Sequence, residues 1–209
     1  MERKRSLILH AAREAFLDGG YAQTSMDRIA EAAGVSIKTV YRHFENKDDL
    51  FSAVMQAACS PGGLERLKGE APEPEPAPER SWFSKPPRAA LVLAGIEYLQ
   101  HALSEEQLAL YRVVTQDAHR FPELGRRYRE QVIESRNDIF VRYLSRWTPV
   151  EKWKVRDKHR AANTFAGLLH TDVFEDALHG LRRFDDSAIA AHARLAAANM
   201  LILLKTGTF

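Results

Sequence analysis

The sequence predicts an all-α protein of about nine helices in two parts, and three observations lead there. Apolar residues recur at helical spacing, and from Pro86 onward there is no β-type alternation. Capping and breaking residues punctuate the chain at intervals suited to helices. An acidic, proline-rich stretch, Glu70-Ala71-Pro72-Glu73-Pro74-Glu75-Pro76-Ala77-Pro78-Glu79, offers no apolar side chain larger than alanine, so residues 69–85 are expected to form a flexible loop. With 209 residues and 45% apolar content, the chain can bury a sizeable core.

The first helix is expected over Met1 to Asp18, with Leu7, Ile8, Ala11, Ala12, Ala15 and Phe16 as its stripe and Gly19-Gly20 as its end. Thr24 and Asp27 read as a capping box for a second helix burying Met26, Ile29, Ala30 and Ala33. Gly34 supplies a tight turn, and Ser36 caps a third helix that runs to Phe44, about two and a half turns. Val40 and Phe44 share its inner face. Two short helices joined by a glycine-containing turn make a helix-turn-helix, here within an N-terminal three-helix domain of residues 1–50. Its third helix presents Ser36, Lys38, Thr39, Tyr41, Arg42 and His43 on a rod of the size that enters the DNA major groove.

The run Ala11-Ala12-Arg13-Glu14-Ala15-Phe16, with Gly20-Tyr21, Thr24-Ser25-Met26, Ile29-Ala30, Ala33-Gly34-Val35-Ser36, Thr39-Val40-Tyr41-Arg42-His43-Phe44 and Lys47, resembles the TetR family of bacterial transcriptional regulators. The resemblance covers about the first fifty residues. It implies that Thr24, Ser25, Ser36, Lys38, Thr39, Tyr41, Arg42, His43 and Lys47 face double-stranded DNA, and that residues 51–209 form a helical effector-binding and dimerisation domain. Lys38, Thr39 and Arg42 suit base edges, while Tyr41, His43 and Lys47 suit phosphates. The family also implies a cytoplasmic homodimer on a pseudopalindromic operator. Arg120-Phe121-Pro122-Glu123-Leu124 is similar to a junction in one subgroup.

Net charge names no partner: it is +2, and the first fifty residues hold eight lysines and arginines against eight carboxylates. The case for DNA therefore rests on where the charges lie. Arg3, Lys4 and Arg5 cluster at one end, and Lys38, Arg42 and Lys47 on or beside the third helix. The lone Cys59 cannot form an intrachain disulfide and reads as a small buried helix residue. Leu7 to Ala12 is too short for a signal peptide, and no run nears the roughly 18 apolar residues a membrane span needs, so no membrane is expected.

After Asn46, which caps a helix expected to run towards Lys68 with a break at Pro61-Gly62-Gly63, helices are expected from Pro87 to Leu103, from Ser104 to His119 and from Glu123 to Trp147. Thr148-Pro149 should stop the last of these. Two more follow, Asp157 to His179 and Ser187 to Lys205.

Effector-pocket candidates are Leu93, Ile96, Tyr111, Val114, Phe121 and Phe140, with Asp117, Arg136, His170 or Asp172 at a polar end, suiting a small, largely apolar ligand; ordinary core packing is the competing reading. Phe165, Leu168, Leu169, Val173 and Phe174, with Leu195, Ala198, Leu201, Ile202 and Leu204, are the candidate dimer face, four helices to a bundle. The eight histidines include no pair three or four apart, and no catalytic or nucleotide fingerprint is present, so no metal, cofactor or enzyme activity is expected. The rival readings are an all-α metal-binding or enzymatic protein that retains a helix-turn-helix head, and a regulator that activates, needs a co-repressor, or answers to a protein through the Pro/Glu loop.

Overall fold

The computed structural model describes residues 2–59 and 80–209. Expectations for residues 60–79, including most of the Pro/Glu loop, and for the Cys59 side chain lie outside the described residues. Among these residues there are ten α-helices and no strand. They are α1 (Glu2–Gln23), α2 (Met26–Ala32), α3 (Ile37–His43), α4 (Lys47–Cys59), α5 (Pro87–Ala102), α6 (Glu105–Asp117), α7 (Pro122–Tyr128), α8 (Ser135–Glu151), α9 (Lys158–Leu178) and α10 (Asp186–Thr206). A π-helical turn, Arg129–Glu134, joins α7 to α8, so the expected long helix is one run with a wider segment inside it.

Local signals explain most boundaries. Gly20, at φ +73°, breaks the α1 helix where the two glycines predicted an end, and one further turn follows. Asn46 accepts from the Asp49 amide at 2.9 Å, and Asp49 accepts from the Glu45 amide at 3.1 Å, a reciprocal cap for α4. Asp157 and Asp185 cap α9 and α10, each accepting an amide three residues on at 2.8 Å. Two boundaries differ from expectation. Ser25, not Thr24, is the N-cap of α2, accepting from the Arg28 amide. Pro149 does not stop α8, which continues to Glu151, because a proline in a final turn forfeits only a bond next to groups that are unpaired anyway.

The chain folds as two compact units, Met1–Ala77 with Ala109–Glu134, and Pro78–Leu108 with Ser135–Phe209. The boundary expected at residue 50 therefore does not match the packing: α7 and most of α6 belong with the first unit. Its core holds Ile8, Phe16, Tyr21, Ile29, Val40, Phe51, Met55, Val114 and Leu124. Phe51 meets Phe16 and Tyr21 edge-on, with centroids 4.9 and 5.3 Å apart.

The second unit is built on α5, α9 and α10, with Leu91, Leu99, Tyr143, Phe165, Leu169, Ala193, Ala197 and Met200 in its core. The chain from Arg80 to Lys85, expected to be part of the flexible loop, is instead a packed turn. Trp82 is buried, and its indole N–H donates to Glu97 at 2.9 Å; Arg80 pairs with the same carboxylate. The α10 helix is, contrary to expectation, long and apolar enough by length and composition to cross a membrane. Its inner side, however, lies in this core through Ile189, Ala193, Ala196, Ala197, Met200 and Leu204. Four of the expected dimer residues on α9, Phe165, Leu169, Val173 and Phe174, are buried within the protomer itself, as is Leu204.

Gly95 sets the approach of α5 to its neighbours: a Cβ there would sit 3.0 Å from Leu169 and 3.2 Å from Ala193. We expect Gly95→Val to lower the urea midpoint at unchanged slope, a loss of about 1–3 kcal/mol from overpacking. An unchanged midpoint in equilibrium denaturation would mean the three helices can spread freely.

Candidate nucleic-acid interface and effector cluster

The helix-turn-helix is assembled by backbone bonds that fix how α3 projects. Gly34, at φ +65°, makes the turn, with the Val35 amide donating to the Ala30 carbonyl at 3.0 Å. Ser36 accepts from the Thr39 amide at 3.2 Å, and the two hydroxyls are 2.9 Å apart. Val40 and Phe44 are buried beneath, so the other side of α3 faces outward.

On that side stand Lys38, Tyr41 and Arg42, with Ser36 and Ser25 also exposed. Tyr41 is 54% exposed, unusual for a ring. Neither Lys38 nor Arg42 has a carboxylate partner among the described residues. Arg5 lies over the Phe44 ring at 5.3 Å, next to the end of α3. The potential there is positive: burial, then Arg42, Arg5, the N-terminus and Lys4, all hold the His43 imidazole below its ordinary pKa. His43 is half-buried, and its Nε2 has no partner.

Three of the expected DNA-facing residues are used inside the unit. Thr24 is 2% exposed, and its hydroxyl donates either to the Ala15 carbonyl at 2.9 Å or to the Gly20 carbonyl at 2.8 Å. Thr39 is buried and held by Ser36. Lys47 donates to the Tyr21 and Thr24 carbonyls at 2.9 and 3.0 Å, with its ammonium 4.3 Å from the Tyr21 ring centroid and 5.7 Å from that of Phe121. Burial holds its pKa below the usual lysine range. Tyr21 in turn donates to Asp48, and burial followed by that bond pushes its phenol well above the ordinary value. Asp117 accepts from the Ala22 amide at 2.9 Å, closing the network onto the turn between α1 and α2.

Four of the ten expected effector residues pack in the first unit. Val114 is core in the first unit, Asp117 is spent on Ala22, Phe121 stacks edge-on against Tyr21 at 5.1 Å, and Tyr111 meets Tyr128. Of the others, the second unit brings Arg136 and His170 together in a polar cluster. Arg136 donates from Nη1 to the Tyr98 hydroxyl at 3.1 Å, and from Nε and Nη2 to Asn137 at 3.2 and 2.9 Å. Asn137 is buried and donates to Asn163 at 2.8 Å. The Tyr98 hydroxyl also bonds His170 Nε2, and the His170 ring stacks on Phe174 with centroids 4.1 Å apart. Burial, and then the charge of Arg136, lower the His170 pKa from 6.5 to about 4, so it is neutral at pH 7. A neutral imidazole accepts the Tyr98 proton, leaving the phenol oxygen to accept from Arg136.

Thr171 follows His170 at φ +28°, breaking α9 there. The Leu169 carbonyl beside the break accepts from His192 Nε2 at 3.1 Å. Phe140 stacks on Phe165 at 5.0 Å, Ile96 is half-buried, and Leu93 and Asp172 face solvent. Tyr98 and Asn137 were not anticipated. The only signal was a lone tyrosine hydroxyl in a helix that is otherwise almost wholly apolar, and an amide beside Arg136. Among the described residues no group of three or more His, Cys, Asp or Glu could hold a metal ion.

Two family models match the chain: bacterial regulatory proteins of the tetR family over residues 8–54, and the C-terminal domain of AefR-like transcriptional repressors over residues 89–204. The transcriptional activator FasR of Mycolicibacterium smegmatis is 46% identical over 55 residues, covering 26% of this chain and 25% of its own. The chain thus spans about a quarter of that relative's length. The transcriptional repressor BepR of Brucella suis is 26% identical over 187 residues, covering 87% of this chain and 83% of its own. The solved structure of the flavonoid-responsive regulator FrrA superposes with a TM-score of 0.74 at 28% identity, covering 97% of both chains.

Lys38 and Lys47 should separate cleanly in binding and melting assays. Lys38→Ala should weaken operator binding by about 1–3 kcal/mol and relax sequence discrimination at the base it reads, with little change in the salt slope of DNA binding and none in stability. Lys47→Met should leave the slope alone but destabilise by about 2–3 kcal/mol, since two carbonyls lose their donor. A second expectation concerns pH. Because the folded His170 pKa lies below its unfolded value, the unfolded state binds more protons between about pH 6.5 and 4. Stability contributed by neutral His170 is present above pH 6.5 and lost as pH falls through 4, by on the order of 1–2 kcal/mol after allowing for partial exposure. His170→Gln should flatten that part of the denaturation profile; an unaltered profile refutes the assignment.

Proposed function

The chain belongs to the TetR family of bacterial regulatory proteins, and from that premise we propose that it is a homodimeric repressor released from its operator by a small, largely apolar effector. As a family member it is a DNA-binding transcriptional regulator and not an enzyme. The observation that carries the rest is the surface of α3: Lys38, Tyr41 and Arg42, exposed and with no acidic neighbour holding either cation, on a helix fixed by the Ser36 cap and a buried Val40–Phe44 face. Lys38 and Arg42 are the base readers in this proposal. Tyr41, His43, Ser25 and Ser36 contact phosphates. Thr24, Thr39 and Lys47 act from beneath, by holding the helices that carry the others.

The dimer face in this reading is narrower than the sequence suggested. It is the outer stripe of α10, where Leu195 and Ile202 are each 60% exposed and Ala198 lies between them, flanked by half-buried Leu201 and by Leu168 of α9. Small residues in such a stripe let helices from two copies approach closely. Two-fold symmetry then calls for a pseudopalindromic operator with half-sites roughly 34–36 Å apart, or a multiple of one DNA turn. Acting on chromosomal DNA, the protein would work in the cytoplasm.

Release follows from linkage. An effector shifts the operator equilibrium only as far as it prefers the DNA-free arrangement of the protein, and DNA must disfavour the effector by the same factor. Two continuous helical stretches, α6 and the run from α7 through α8, carry the chain from one unit into the other and offer the covalent route for that coupling. The relatives alike over most of the chain, the repressor BepR and the flavonoid-responsive regulator FrrA, favour release by a small molecule; the activator FasR is alike only over a quarter of it.

Footprinting on the promoter region of its own gene, with a salt titration, tests the reading. We expect a protected pseudopalindrome whose affinity falls steeply with salt and vanishes in the Lys38→Ala, Tyr41→Ala double variant. Ile202→Asp should give a monomer at micromolar concentration in sedimentation, with operator affinity lowered about 100-fold or more through lost bivalency. DNA binding indifferent to the double variant, or a wild-type monomer at that concentration, would refute the proposal.

A further inference from the structure

Arg136 is a partly buried cation whose hydrogen bonds, among the described residues, go to neutral groups, the Tyr98 hydroxyl and the Asn137 side-chain oxygen. Among the described residues no carboxylate pairs with it. A guanidinium drawn out of water is expensive without a counter-charge. Its donors can also be counted. Of its five N–H groups, Nε gives one to Asn137, Nη2 gives one to the same oxygen, and Nη1 gives one to Tyr98. One N–H is left on each terminal nitrogen, two charged donors with no acid on them among the described residues.

The surroundings hold that pair ready. Asn137, itself buried, is fixed by donating to Asn163, so the guanidinium plane is gripped along one side. Tyr98 is fixed between Arg136 and His170, and the guanidinium lies 5.4 Å from the Tyr98 ring centroid. Ring faces crowd the same place: His170 stacks on Tyr98 at 5.6 Å and on Phe174 at 4.1 Å. An acidic group there would form a buried ion pair next to aromatic surface.

We propose that Arg136, Tyr98 and His170 form the head-group site of the effector, and that the effector is an amphipathic carboxylate with an aromatic or otherwise flat apolar body. The proposal rests on the reading of the second unit as the effector-binding part, and it adds an acidic head group to the largely apolar effector. In it Arg136 binds the carboxylate. Tyr98 and Asn137 are positioning residues that orient the guanidinium, and His170 holds the Tyr98 hydroxyl turned so that its oxygen faces Arg136.

The test uses a matched pair of probes, 2-naphthoate and the neutral 2-naphthamide, titrated calorimetrically into the full-length protein at pH 7.5. Wild-type protein should bind the acid at least tenfold more tightly than the amide. Arg136→Gln should bring the two within about twofold by weakening the acid alone, and Arg136→Lys should restore only part of the preference, because an ammonium lacks the fork. Should Arg136→Gln fail to fold, Tyr98→Phe keeps the ring and removes the hydroxyl, and it should weaken the acid but not the amide. Equal affinity of wild type for acid and amide would overturn the proposal, as would a preference that survives both Arg136→Gln and Tyr98→Phe. Failure of both probes to bind would also overturn it. Operator binding measured on the same preparations tells these outcomes apart from a failure of the regulator reading itself, which would show as loss of DNA binding by the wild type.

Discussion

The ammonium of Lys47 is the contact on which the DNA-binding unit depends. It rises from the first turn of α4 to take the Tyr21 and Thr24 carbonyls, which sit where α1 has been broken by Gly20 and α2 has not yet begun. Lys47 supplies those carbonyls with a donor, and its partly buried charge lies beside the Tyr21 and Phe121 rings. With the α1–α2 turn fixed, Thr24 reaches back to the carbonyls of α1, Ser25 caps α2, and the short turn through Gly34 delivers α3 at one angle. The positions of Lys38 and Arg42 in space are thus set by a residue several positions further along the chain.

Much of the fold was legible because helices are announced locally. Caps at Ser36, Asn46, Asp157 and Asp185, breaks at Gly20 and Gly34, and Pro122 at a first position are all short-range chemistry, and the structure uses each of them. Illegible features were those decided at long range. Trp82 lies next to a stretch whose composition says loop, yet a carboxylate on α5 and a pocket of aromatic rings hold it. The division into units was hidden for the same reason. Nothing in the periodicity of α6 tells which of two cores its apolar stripe will enter.

The site divides along the same line. Exposure of Lys38, Tyr41 and Arg42 follows from the period of a short helix whose inner face is plain in the sequence. Lys47, Thr24 and Thr39 carry the same polar groups, but their groups meet carbonyls or a hydroxyl first, which spacing alone cannot reveal. On α9, Phe165, Leu169, Val173 and Phe174 looked like surplus apolar surface for a partner. They are consumed in the protomer, leaving the α10 stripe of Leu195, Ala198 and Ile202 uncovered. Arg136 and His170 were expected at a polar end, but only the fold shows that a tyrosine joins them and that the arginine meets no acid.

The near-neutral head, a poor omen for DNA binding by composition, is resolved by where the acids are spent. Asp48 accepts from Tyr21, Asp49 caps against the Glu45 amide, Glu14 pairs with Arg13, and Asp18 lies 3.6 Å from Arg28. Asp27 sits in the first turn of α2, where the helix dipole favours it. Five of the eight carboxylates are thus engaged within the domain, and none of the five pairs with Lys38 or Arg42. The count of eight against eight therefore averages over two populations, neutralised scaffold charges and free cations on α3. The field that a phosphate meets comes from the second population; burial first, and then Arg42, Arg5 and Lys4, lower the pKa of the neighbouring His43. A few such cations give modest affinity per head, which is why the proposed operator binding leans on the proposed two-fold pairing through α10 for its strength.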